Sequence, residues 1–351
     1  NKTYTVKVVS DSGNKYRFDD HGTSAVTLDL AEGSTYVFDQ SDSSNSGHPL
    51  RFSTTSDGTH GGGSEYTTGV TTTGTPGSAG AKTTIVVASG AATLHYYCSA
   101  HSGMGGQANT NSTTGASNFD GSIQARVKAN PTAGFSICTI TTPSGSGAYT
   151  FGHGLNTAPE VVIYRGYDQN MSWYVYHKGY GAANQYTLLN NTNAVNSGTY
   201  VFNNTHPSSS VVTDYRSNSL HHNEGMDMLY LCFSPVPGFS AFGSYTGNGS
   251  ASEGPFIHTG FRVAFLITKR TNSSTSGDWN IVDTTRGTYN PVGPYLYANQ
   301  TNSEGNATIY DLLSNGFRIK ESGAGTNNNG STYIYMAFAS NRFSSNGGLA
   351  R

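Results

Sequence analysis

Charged residues are scarce in this sequence, at 11% of 351 residues, and the formal net charge is −2. Such a balance gives no long-range attraction to nucleic acid or to an anionic membrane surface, so we expect neither partner. No apolar run approaches the roughly 20 residues that span a bilayer, so we expect no membrane insertion. The chain begins at Asn1 rather than Met, so the lack of a leader carries no conclusion.

Cysteines and helix-forming stretches are also sparse. Three cysteines are too few and too scattered for a disulfide framework. Few stretches have the Ala, Leu, Glu and Lys content that favours helices, whereas Gly and Tyr are abundant. Short alternating runs at 3–9, 26–30 and 34–38 are bounded by Gly, Ser and Thr, which is typical of strands in a sandwich or barrel. The sequence therefore predicts an all-β protein.

Length and composition divide the chain into parts. It is long enough for two or three domains, and residues 1–110 form the first predicted β domain. Within it, the polar stretch from Ser53 to Lys82 is too long for a turn, and such loops are usually functional or mobile. We expect a linker over 111–133, because the sequence around its start is rich in Asn, Ser and Thr.

The remaining residues contain an internal repeat. The segments 134–138, 159–165, 173–176 and 230–233 recur in the same order as 238–242, 262–270, 279–282 and 335–338, at an offset of about 105 residues. We therefore predict two β repeat units, 134–237 and 238–351, that build one composite β-structure.

The repeat also bears on cysteine and tryptophan. It aligns Cys138 with Phe242 and Cys232 with Ala337, so we expect both thiols in apolar core positions. A Cys138–Cys232 disulfide stays open as an alternative. Trp173 and Trp279 occupy equivalent positions, which favours core packing over a sugar-stacking or protein-contact surface.

One short loop concentrates metal-binding chemistry. Cys98, His101 and Met104 follow an aromatic strand at intervals of three residues, and His48 lies fifty residues upstream in a Gly-His-Pro sequence. Two His, one Cys and a weak axial Met are the ligands of blue-copper electron-transfer sites. His60 and His95 are weaker rivals for the second imidazole. Zinc is a minor alternative because thiolate and imidazole also suit it.

The Cys-x-x-His-x-x-Met loop resembles that of cupredoxins, and specifically of their amicyanin-like branch. The resemblance covers residues 1–110, in the order strand, His-Pro, long insertion, aromatic strand and ligand loop. It implies a Greek-key sandwich with one mononuclear copper ion. His48 and His101 would bind through ring nitrogens, Cys98 through its thiolate and Met104 axially.

The second region resembles a domain of uncharacterised function that is common in tailed-phage structural proteins. The resemblance covers residues 118–343, and it depends on the segments 134–136, 153–155, 158–159, 173–178, 243–249, 254–256, 317–320 and 333–339. It implies a role at the virion surface as a fibre, tail appendage or capsid decoration. It assigns no catalytic residues.

Together these patterns predict a non-enzymatic phage virion surface protein that carries a copper-binding module. No Ser-His-Asp or paired-carboxylate arrangement follows from the spacing of residues, so we expect no catalytic site. Expected partners are other virion proteins and a host-surface glycan or protein, with the chain in a homo-oligomer. The alternative is a secreted blue-copper electron carrier with an attached binding domain, and a carbohydrate-binding protein is a third possibility.

Overall fold

The computed structural model describes residues 2–111, 115–217 and 223–340. Part of the predicted linker (112–114), part of the first repeat unit (218–222) and the end of the second (341–351) lie outside the described residues. Regular structure is almost entirely strand, which confirms the all-β prediction. Within the described ranges, helical structure is limited to four short 3-10 turns: η1 (Ser43–Asn45), η2 (Gly58–Gly61), η3 (Lys178–Tyr180) and η4 (Phe202–Asn204). No helix among these residues is long and apolar enough to cross a membrane.

The chain divides into two compact units. The N-terminal unit comprises residues 1–129 with 138–140 and 149–154, and the C-terminal unit comprises 130–137, 141–148 and 155–351.

The N-terminal unit is built on two sheets. Its first nine strands are β1 (Lys2–Ser10), β2 (Asn14–Phe18), β3 (Leu28–Asp29), β4 (Thr35–Asp39), β5 (Leu50–Ser53), β6 (Val70–Thr73), β7 (Lys82–Val86), β8 (Leu94–Cys98) and β9 (Gly106–Asn109). They form sheets of order β2-β1-β4-β7-β6 and β3-β9-β8-β5. Side chains from both sheets share one core, where Phe38 lies 5.4 Å from Phe52 and Phe18 lies 5.1 Å from Tyr96, measured between ring centroids. The unit is therefore a β-sandwich.

The stretch predicted to be a linker contains two further strands. They are β10 (Ala116–Asn118) and β11 (Ala125–Asn130), which pair antiparallel. Phe119 is only 3% exposed, and its ring lies 5.8 Å from that of Tyr4 in the core of the sandwich. The Ser117 carbonyl accepts a hydrogen bond from the Tyr4 hydroxyl at 2.9 Å. The Asn/Ser-rich composition does not indicate strands here. Backbone pairing and the buried Phe119 side chain, rather than β-favouring residues, hold β10 and β11 in place.

The rest of the chain continues as strands. They are β12 (Phe135–Thr141), β13 (Gly147–Gly152), β14 (Val161–Gly166), β15 (Tyr174–His177), β16 (Gln185–Leu188), β17 (Asn196–Ser197), β18 (Val211–Arg216), β19 (Asp227–Phe233), β20 (Ser240–Thr246), β21 (Phe256–His258), β22 (Phe265–Arg270), β23 (Trp279–Asp283), β24 (Val292–Tyr297), β25 (Gly305–Leu313), β26 (Gly316–Ile319) and β27 (Thr332–Phe338).

The predicted repeat corresponds to a repeated strand order. In the first copy β14 pairs antiparallel with both β19 and β15, and in the second copy β22 pairs antiparallel with both β27 and β23. Thus β19-β14-β15 recurs as β27-β22-β23, although the intervening sequences differ.

Side chains of both copies pack together in one hydrophobic cluster. Val161 and Val175 from the first copy meet Trp279, Ile334 and Met336 from the second. These residues are buried because the two copies cover each other's apolar faces. The buried thiols of Cys138 and Cys232 agree with the expectation of core positions. The two tryptophans differ, because Trp279 is buried whereas Trp173 is partly exposed and its ring lies 5.2 Å from the Arg165 guanidinium.

Candidate metal centre

The candidate ligands lie where two paired strands end. Strands β5 and β8 run antiparallel with Leu50 opposite Cys98, so the loop before β5 and the loop after β8 leave the same edge of the sheet. His48 lies two residues before Leu50. The loop after Cys98 carries His101 and returns to β9, which pairs with the other side of β8. Strand pairing therefore brings together ligands that are fifty residues apart in sequence.

Three of the predicted ligands converge. The Cys98 Sγ lies 3.8 Å from the His48 Nδ1 and 3.7 Å from the His101 Nδ1. The two imidazole centroids are 4.5 Å apart with the rings tilted by 48°. All three ligand atoms lie within 4.8 Å of one another. One sulfur and two imidazole nitrogens thus surround a single point.

The separations of sulfur from nitrogen fit one bound metal ion. Metal–sulfur bonds of about 2.3 Å and metal–nitrogen bonds of about 2.0–2.1 Å place sulfur and nitrogen about 3.8 Å apart at trigonal angles. Tetrahedral angles give about 3.6 Å with the same bonds. The observed 3.8 and 3.7 Å lie within the range that these two geometries span, so both atoms could bind one ion.

Met104 completes the ligand loop inside the sandwich. Its side chain is buried in the same hydrophobic cluster as Cys98. Its carbonyl accepts a hydrogen bond from the Tyr16 amide at 3.0 Å, which ties the end of the loop to β2. A Cβ at the next residue, Gly105, would lie 1.7 Å from the Tyr96 carbonyl oxygen. Only glycine fits there, so the loop turns back tightly against β8.

Buried polar side chains hold the segment around His48. The Gln40 amide donates to the His48 carbonyl at 2.8 Å and accepts from the Leu50 amide at 3.0 Å. The Tyr16 hydroxyl donates to the same His48 carbonyl at 2.9 Å. Asn45 in η1 accepts the His48 amide at 2.8 Å through its own carbonyl. Both the amide and the carbonyl of His48 are therefore held by hydrogen bonds, which limits rearrangement of its imidazole.

The long polar stretch between β5 and β7 clamps the other ligand loop. The Asp57 carboxylate accepts hydrogen bonds from the Ser102 hydroxyl and from the Gly103 amide, the latter at 2.9 Å. The His60 Nε2 lies 3.0 Å from the Cys98 carbonyl oxygen. No sequence pattern indicated a role for Asp57, and the length of the stretch was the one signal that pointed to it.

His60 and His95 do not join the ligand cluster among the residues described. His60 contacts the backbone of Cys98 rather than its sulfur, and His95 lies within β8 opposite Ser53 and Gln107.

Burial and charge favour the metal-binding form of the His48 imidazole. Burial lowers the pKa of the His48 imidazole, and the neighbouring His101 lowers it further. The neutral ring that results is the form that binds metal. Cys98 is buried, His48 is half-buried and His101 is exposed, so the cluster reaches the surface through one imidazole.

Comparison with known proteins covers a different part of the chain. Residues 107–341 match the model of a domain of unknown function, DUF7483, which spans two-thirds of the sequence and begins after the candidate ligands. Neither a curated protein nor a solved structure matches the chain. By the extent of that match, the chain belongs to the DUF7483 family.

Proposed function

We propose that this chain is a non-enzymatic virion surface protein of a phage, with a cupredoxin-like module that binds one copper ion. In this proposal the C-terminal unit makes contacts with other virion proteins and with the host surface. The observation that carries the copper assignment is the convergence of the Cys98 sulfur with the Nδ1 atoms of His48 and His101.

Copper is favoured over zinc by the ligand set. Structural zinc sites use four strong ligands at tetrahedral angles, whereas a trigonal His₂Cys set with a weak axial Met is typical of blue copper. Here three strong ligands converge rather than four, and Met104 is buried on the same loop. When bound, copper would supply a one-electron redox couple at this edge of the sandwich.

The protein's own groups would keep the ligands rigid and partly dry. Gln40 and Tyr16 fix the backbone at His48, and Asp57 fixes the turn at Gly103. A scaffold that holds its ligands in one arrangement limits reorganisation when the charge of the metal changes. The exposed His101 imidazole also gives an electron partner access, and this observation favours the alternative of a secreted electron carrier.

The virion assignment is supported by the sequence resemblance and by composition. Few charges and a duplicated β-structure with a shared core suit an exposed, protease-resistant appendage. Mass spectrometry of purified particles should detect the chain in stoichiometric amounts. Its absence from intact particles would contradict this part of the proposal.

A metal titration tests the copper centre. Metal-free protein receives Cu(II) or Zn(II), followed by desalting, metal analysis and a visible spectrum. We expect one copper ion per chain and a strong thiolate-to-copper absorption band at about 600 nm. Cys98→Ala should abolish the band.

Cys232→Ala is the matched control, because it removes another buried thiol at a position where the second repeat carries Ala337. It should keep the band. Survival of the band in Cys98→Ala, or a stable zinc complex with no copper band, would overturn the assignment.

A further inference from the structure

The C-terminal unit contains a cavity of about 180 Å³. It lies at strands β23, β24 and β25 and the segment that follows β26. The side chains that matter for its chemistry are Asp278, Asn280, Tyr295, Tyr297, Glu321 and Thr326. Asp278, Glu321 and both tyrosines are partly exposed, so the cavity is reached from solvent.

Asn280 is the strongest indication that the cavity takes a ligand. It is only 4% exposed, yet among the described residues its side-chain amide makes no hydrogen bond. Its amide atoms keep some exposure to solvent, so they face the open cavity rather than the closed core. Asn280 lines the cavity and lies opposite Tyr297 across the β23–β24 pair. Its amide is therefore placed to donate to, and accept from, a bound molecule.

The carboxylates of Asp278 and Glu321 are each held through one oxygen, and the other oxygen of each is available to a ligand. The Asp278 Oδ1 accepts hydrogen bonds from the Asn299 and Gln300 amides, both at 2.9 Å. The Glu321 Oε1 accepts from the Thr326 hydroxyl. Within the described part of the chain, neither the Asp278 Oδ2 nor the Glu321 Oε2 has a hydrogen-bond or ion-pair partner. Two such acceptors, with no Lys or Arg in the cavity lining, favour a ligand rich in O–H donors and disfavour an anion.

The tyrosines supply aromatic surface on the same side. Tyr295 and Tyr297 are two residues apart on β24 and so face the same way, with ring centroids 5.3 Å apart. Tyr295 packs against its cross-strand partner Gly305, where a Cβ would come within 2.2 Å of its Cζ. Burial, followed by the neighbouring Tyr295, raises the pKa of Tyr297 to about 12, so its hydroxyl stays protonated and can donate.

We propose that this cavity binds an uncharged sugar residue. Sugar hydroxyls would meet the Asp278 and Glu321 oxygens and the Asn280 amide, while the apolar face of the ring would pack on Tyr295 or Tyr297. The assignment names a ligand class for the host-surface contact, and to that extent it rests on the proposed function. An apolar ligand fits poorly, because the polar groups of the cavity would then be left unpaired.

Saturation-transfer NMR on the full chain tests the proposal. The probes are D-glucose, D-galactose and N-acetyl-D-glucosamine, with sialic acid as an anionic comparison. We expect at least one neutral sugar to bind and sialic acid not to bind. Loss of one aromatic contact in Tyr297→Ala should weaken that binding about tenfold.

Asn280→Leu keeps the number and branching of the side-chain heavy atoms but removes the polar ones. It should abolish detectable binding, with thermal unfolding as the check on folding. Tyr289→Ala is the matched control, because Tyr289 is an 85% exposed tyrosine of the same unit outside the cavity. It should bind sugar as the parent protein does.

Three outcomes would overturn the proposal. They are no response to any neutral sugar, sugar binding by Tyr297→Ala and Asn280→Leu as strong as that of the parent protein, and calcium binding without sugar binding. The copper spectrum is recorded on the same samples. A chain that holds copper but binds no sugar refutes only this inference, and a chain that binds sugar without copper refutes only the metal assignment.

Discussion

Replacing His177 with Gln should remove much of the acid sensitivity of the C-terminal unit. His177 ends β15 and is fully buried. Its Nδ1 accepts a hydrogen bond from the Gly179 amide at 2.9 Å, and its Nε2 lies 3.0 Å from the Tyr335 carbonyl oxygen in the second repeat. An imidazole that accepts at one nitrogen and donates at the other is neutral. Protonation would break the bond to Gly179 and leave a charge in the core.

The size of the effect follows from the pKa. Burial lowers the pKa of His177 from 6.5 to about 4, and the bond to Tyr335 opposes this only in part. The folded pKa lies below the unfolded one, so the unfolded chain binds the proton first as pH falls. The stability is fully present above about pH 6.5 and is lost between about pH 6.5 and 4, by about 3 kcal/mol in total. Between pH 7 and pH 5 the loss is about 2 kcal/mol.

Urea unfolding followed by tryptophan fluorescence measures this loss directly. Both tryptophans, Trp173 and Trp279, belong to the C-terminal unit, so the signal reports on that unit. His177→Gln should be less stable at pH 7 but should lose about 2 kcal/mol less than the parent protein on going to pH 5. His258→Gln, which changes an exposed histidine, should keep the parent's dependence on pH. An unchanged dependence in His177→Gln would refute the reasoning.

Two further changes probe the scaffold around the metal ligands. Gln40→Ala removes one hydrogen-bond partner from the His48 carbonyl and one from the Leu50 amide. The free energy of unfolding, measured with urea, should therefore fall by about 1–3 kcal/mol. The copper dissociation rate, measured by chelator competition, should rise. Gly105→Ala places a methyl group against the Tyr96 carbonyl, so the copper band should broaden or vanish in visible spectra, and a spectrum equal to the parent's would show that this turn does not set the ligand geometry.

Only the part of the candidate metal centre whose ligands are close together in the chain could be predicted from local sequence. Cys98, His101 and Met104 occupy one loop, so their spacing alone indicates convergence. His48 could be proposed from residue type and from the family resemblance, but its approach to Cys98 depends on the pairing of Leu50 with Cys98. The sequence alone could not decide whether His48, His60 or His95 supplies the second imidazole. The structure decides it, because only His48 lies beside the Cys98 sulfur among the three.

Other parts could not be predicted, because they depend on side chains that meet across sheets. Gln40 is an unremarkable polar residue in sequence, yet its buried amide bridges two backbone groups beside His48. The repeat predicted the same environment for both tryptophans. Only Trp279 is buried, because its indole N–H reaches the Leu188 carbonyl at 3.0 Å and its ring packs between the two repeats. Equivalent positions in a duplicated sequence face different neighbours.

Register, more than composition, determines whether the sugar cavity exists. Along β23, Trp279 points into the core shared by the repeats, and Asn280 points to the opposite face. A slip of β23 by one residue against both its neighbours, β22 and β24, would exchange these faces and bury the Asn280 amide against Val161 and Val175, where no polar partner is expected. The pairing of Asn280 with Tyr297 therefore serves two purposes, since it places the indole in the core and the amide in the cavity. Because one register satisfies both, the packing that joins the repeats also holds the unpartnered amide in place for a ligand.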